Sequence, residues 1–136
     1  MRSLLLTIAV PIALLGKCQS TPDSMIREFF GAYSTGKMEK AIDDLYALNP
    51  WMTRRNEEIS NLKRQLQGAI DIMGDYHGYA MMGSKDILAD LVAIDYFVKY
   101  DRQPLRFRFM FYRANKDWIP YSFSFDDSID EELKDV

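Results

Sequence analysis

Leu91-Val92-Ala93-Ile94-Asp95-Tyr96-Phe97-Val98-Lys99-Tyr100 alternates with a period of two, and on this stretch the fold turns. Val92, Ile94, Tyr96, Val98 and Tyr100 fall on one side, and Leu91, Ala93, Asp95, Phe97 and Lys99 on the other. Successive side chains of a strand point to opposite faces, so this is a long strand and not a helix. Asp101-Arg102-Gln103-Pro104 makes a turn, and Leu105 to Arg113 repeats the pattern, with Leu105, Phe107, Phe109 and Phe111 set against Arg106, Arg108, Met110 and Tyr112. Ala114-Asn115-Lys116-Asp117 turns the chain into Trp118 to Phe125, where strict alternation puts Ile119, Tyr121, Phe123 and Phe125 on one side. Upstream, Tyr76 to Met82 reads as another strand, interrupted by Gly78. Short turns between consecutive strands dictate an antiparallel sheet of about four strands.

N-terminal to the sheet the period changes to 3.6. Thr21-Pro22-Asp23 supplies an N-cap, a proline for the first turn and an acid at the positive end of the dipole. Ile26, Phe29, Phe30 and Tyr33 then mark one helix face, which Gly36 ends. Met38, Ala41, Ile42, Leu45 and Tyr46 mark a second, closed by Asn49-Pro50, which can also cap the third. Met52, Ile59, Leu62, Leu66, Ile70 and Met73 form the stripe of that longest helix, and Gly74 is its C-terminal glycine. Helices first and strands after imply an α+β domain with the Phe row of Leu105–Arg113 packed on three helices. The other side of the sheet also reads as partly apolar, at Tyr96, Val98, Met110 and Tyr112, which points to a homodimer.

The chain opens with Met1-Arg2-Ser3, an apolar run from Leu4 to Leu15, and Gly16-Lys17-Cys18-Gln19-Ser20, the three parts of a secretory signal. The 12-residue run, about 18 Å long as a helix, falls short of the ~30 Å bilayer core, so no transmembrane span is expected after the signal is removed. Residues 1–20 are therefore expected to be a signal peptide cut after Ser20, 21–126 the domain, and 127–136 an acidic tail. Lipidation at Cys18 is the alternative, although Lys17 beside it fits that motif poorly. The expected location is periplasmic or secreted, or membrane-anchored in the lipidated case.

Loss of Arg2 and Lys17 with the signal leaves 15 basic against 20 acidic side chains, a net charge of −5. Such a domain is not expected to be a general nucleic-acid or anionic-membrane binder. Cys18 is the sole cysteine and His77 the sole histidine, so neither a disulfide, a thiol nucleophile nor a zinc site is expected, and no cofactor.

Ile26-Arg27-Glu28-Phe29-Phe30 with Tyr33, Gly36 and Ala41, and the closing Trp118-Ile119-Pro120-Tyr121-Ser122-Phe123-Ser124-Phe125, resemble the NTF2-like superfamily, also called cystatin-like or SnoaL-like. The resemblance implies a cone with a pocket between a curved sheet and the helices. It implies a binding, protein-pairing, isomerase or dehydratase role without choosing among them.

Five residues are candidates for a site. Asp95 stands mid-strand among apolar neighbours, where a desolvated carboxyl could act as general acid or base; the simpler reading pairs it with Arg106 or Arg108 on the next strand. His77, in Asp75-Tyr76-His77-Gly78-Tyr79, could assist as an acid–base group, or be a half-exposed residue at a strand end. Arg106 and Arg108 share one side of their strand and could clamp an anionic ligand, with Tyr79 beside it, although alternation puts both arginines opposite the Phe row. The leading expectation is a non-catalytic small-molecule-binding or protein-interaction domain. The alternatives are a small lyase or isomerase built on Asp95, and an acidic immunity-type partner of a basic protein.

Overall fold

The computed structural model describes residues 20–129, so the expected signal segment, Cys18 and the tail from residue 130 lie outside the described residues. Three helices precede four strands: α1 (Pro22–Tyr33), α2 (Met38–Ala47), α3 (Asn56–Met73), β1 (Tyr76–Leu88), β2 (Leu91–Tyr100), β3 (Leu105–Arg113) and β4 (Trp118–Asp126). A single 3-10 turn at Met52–Arg54 leads into α3. The sheet is an antiparallel meander in the order β1-β2-β3-β4, open and curved, as the short turns dictate. No helix among the described residues is long and apolar enough to cross a membrane.

Helix α1 starts as its sequence predicts. Thr21 and Ser24 close a reciprocal capping box, and Pro22 occupies the first turn. It buries Ile26, Phe29, Phe30 and Tyr33 against the sheet. Phe29 meets the rings of Phe107, Phe109 and Phe123 at 5.0–6.3 Å, and Phe107, Phe109 and Phe111 of β3 are wholly buried. Each such side chain contributes about 1.5–3 kcal/mol through area removed from water. Helix α2 adds Ile42, Leu45 and Tyr46 to this core. From α3, Leu66 is fully buried, while Ile59, Leu62, Ile70 and Met73 are packed at the margin.

Register decides which face each residue takes. Tyr96 lies opposite Phe107 and Val98 opposite Leu105, so both belong to the core face and not, as the sequence suggested, to the outer one. The outer face instead carries Leu91, Ala93, Phe97, Met110, Tyr112 and Ile119 around its charged groups. In β4 one extra residue intervenes between the pairs Met110–Ser122 and Phe111–Pro120. Strict alternation fails there: Phe123 and Pro120 are buried, Tyr121 is the unpaired bulge residue, and Ile119 passes to the face opposite Phe123. Strand β1 is longer than its sequence suggested and is broken by three irregularities, which leave His77, Met82 and Ile87 out of the pairing.

Candidate functional site

Asp95 projects from the middle of β2 onto the outer face, directly opposite Arg108. The two form a two-point pair: Arg108 Nε donates to Oδ1 at 2.7 Å and Nη2 to Oδ2 at 2.6 Å. The Asp95 side chain keeps only 12% of its exposure and that of Arg108 40%. Fork-to-carboxylate bonds of this kind are the strong class of charged hydrogen bond. One rung along, Arg106 donates from Nη2 at 2.8 Å and from Nε at 3.3 Å to Asp126 Oδ2 on β4. Burial works to raise the Asp126 pKa, but the Arg106 hydrogen bond and charge outweigh it and hold the carboxyl below its ordinary value; the same bond raises Arg106. The outer face thus carries a row of opposite charges locked across neighbouring strands.

Beside this row lies a hollow of ≈ 640 Å³, lined by Gly83, Ser84, Lys85, Ile87 and Ala93 with Asp95 and Arg108. Gly83 opposite Asp95 and Ala93 opposite Lys85 leave the room, since neither carries a side chain beyond Cβ. Within the space between helices and sheet, where the resemblance implies a pocket, the rings of Phe30, Phe107, Phe109 and Phe111 are packed and fully buried. The carboxylate, the hollow and both arginines all belong to the opposite side.

The other candidates stand apart. His77 is the unpaired residue of the first β1 bulge, about half exposed, and its Nε2 lies 2.5 Å from Asp101 Oδ1 in the β2–β3 turn. Asp101 Oδ2 accepts from the Asp75 amide at 2.8 Å, so this carboxylate clamps the start of β1 to that turn. The His77 hydrogen bond, then the Asp75 amide, lower the Asp101 pKa. Tyr79 lies on the helix side, stacked on Phe30 with ring centres 3.8 Å apart, and remains partly exposed. Asp95 and Arg108 are therefore one site, while His77 and Tyr79 are two other places.

Sequence reasoning passed over four residues that the structure singles out. Lys85 lines the hollow; it lies beyond the point where the sequence ended β1. Asp101, read only as a turn residue, organises one end of the sheet. Tyr33 and Tyr100 join hydroxyls inside the core, with burial raising both; Tyr100 is pushed up to about 12 and Tyr33 further. No local motif marks any of the four, because each depends on a partner at least eight residues away. Against known proteins, the chain matches no family model, no curated protein and no solved structure.

Proposed function

We propose that this chain is an exported, non-catalytic binding domain of the NTF2-like kind that works through the outer face of its sheet. The observation that carries the reading is the Asp95–Arg108 pair. A general base must turn its oxygens to substrate, whereas both Asp95 oxygens already accept short bonds from Arg108. His77, the expected assistant, is engaged with Asp101 elsewhere. In the outer hollow Lys85 and Arg108 set two cations against one carboxylate. That balance suits a small anionic ligand or an acidic side chain of a protein partner.

Thermal-shift measurements against a panel of anionic metabolites, with a pull-down from periplasmic extract, test the proposal. A ligand that stabilises the wild-type chain but not Lys85→Gln supports it. If neither ligand nor partner registers at physiological concentration, it fails. The lyase or isomerase reading keeps one observation in its favour, a poorly exposed carboxylate beside a roomy hollow. It gains the upper hand if a ligand is chemically altered and Asp95→Asn binds that ligand without altering it.

A further inference from the structure

The two ends of the molecule differ in character. At one end the chain emerges from its N-terminal segment into the Thr21 cap. Pro22, next in line, shares a hollow with Ala89 of the β1–β2 turn and with Trp118 at the start of β4. Two residues along β4, the Pro120 carbonyl accepts from Asn49 Nδ2 at 2.7 Å, and Asn49 Oδ1 accepts from the Trp51 amide at 3.0 Å. The loop after α2, the β1–β2 turn and the start of α1 therefore sit together. Here Leu48, Trp51, Ile87 and Leu88 are exposed, Trp51 by 75% and Leu88 by 67%. The far end is built from Ser34, Thr35, Asp75, His77 and Asp101, all polar and exposed, together with the exposed Ile72.

We infer that the Leu48–Trp51–Ile87–Leu88 end rests on a lipid bilayer surface. The occupant is named by the chain itself. The run Leu4–Leu15, wholly apolar but for Thr7, and the alternative lipidation point Cys18 both precede Thr21, and only Gln19 and Ser20 separate Cys18 from the cap. Two residues span at most about 7 Å. In the lipidated alternative, where the chain is held at Cys18 and not cut after Ser20, this end is the one brought to the headgroups. Tryptophan with aliphatic neighbours is the side-chain set that partitions there. Ile87 also lines the outer-face hollow, so the two sites adjoin at this end of β1, and the inference does not depend on what the hollow binds.

The test uses the full chain with vesicles of phosphatidylethanolamine and phosphatidylglycerol. In Trp118→Phe the remaining tryptophan is Trp51, whose emission is read with lipids brominated on the acyl chain. Strong quenching and a blue shift are expected at Trp51. No quenching is expected for a reporter at the far end, Ile72→Trp in a Trp51→Phe, Trp118→Phe background. Hydrogen exchange of the unsubstituted chain gives a second reading, with vesicles slowing amides of residues 48–52 and 86–90. A chain that floats with vesicles while Trp51 stays unquenched overturns the inference, as does equal quenching at both ends or failure to bind vesicles at all. Protection of the same amides by a soluble protein, with none from vesicles, would assign the end to that protein and also overturn it.

Discussion

At Asp95 the alternation of β2 left two arginines as partners, and the choice rests on register alone. A shift of two residues would have paired it with Arg106; the observed register places Phe97 opposite Arg106 and Asp95 opposite Arg108. That Asp95 would be paired was legible from an acid among apolar neighbours facing a strand with two bases. Which base was not, because turn length sets register. Removing one partner leaves the other partly desolvated. Asp95→Ala is therefore expected to lower stability by about 1–3 kcal/mol, and a double-mutant cycle with Arg108→Met to recover about 1–2 kcal/mol of coupling in urea unfolding. Coupling near zero would mean that solvent at the exposed Arg108 screens the pair.

Asp101 gives a pH dependence of definite sign. Its folded pKa is held below the ordinary carboxylate value, so the stability it adds is present above that value and is lost as pH falls through the folded one. Urea midpoints measured downward from about pH 5 should decline less steeply in Asp101→Asn than in wild type. Parallel acid limbs would show that the clamp on Asp75 and His77 adds nothing to folding.

Among the elements, α1, α2 and β2–β3 were legible because each has one strong period and few interruptions; α3 begins at Asn56, not at the Asn49-Pro50 cap the sequence offered, because Met52–Arg54 forms a separate 3-10 turn. Strands β1 and β4 were only partly so: a bulge adds one residue and reverses the facing of everything beyond it, with little compositional trace. Pro120 and Gly78 sit near two of these sites, but Met82 and Ile87 give no warning. The junction between α3 and β1 was read correctly from Gly74, whose φ of 93° is a conformation that side-chained residues rarely adopt. A Cβ at this position would also lie 2.7 Å from Asp101 Oδ2. Gly74→Ala is expected to destabilise by about 1–3 kcal/mol in chemical denaturation. An unchanged midpoint would mean that the junction can rearrange without disturbing the clamp.

Across the whole molecule, the hydroxyl contact between Tyr33 of α1 and Tyr100 of β2 ties the helical layer to the sheet. Both phenols have pKa values raised by burial, so the fold holds them neutral. Their contribution is intact below the ordinary phenol value and is lost as pH rises beyond it, because only the unfolded chain can ionise them readily. The phenolate absorbance of this pair should therefore rise only as the far-UV signal collapses. Tyr33→Phe with Tyr100→Phe should move that collapse to higher pH; a single early titration of all the tyrosines would contradict the burial of the pair.

The three irregularities of β1 bear on how such molecules tolerate crowding. A free sheet edge is a template on which another chain can extend the hydrogen-bond ladder. Here the edge strand offers uninterrupted runs no longer than Gly78–Met81 and Gly83–Asp86. The opposite edge, β4, contains Pro120, which has no amide hydrogen to give, beside its own bulge. Neither margin can seed a long strand from a neighbour. Copies gathered at high density would therefore find no long, regular rim on which to knit into fibrils.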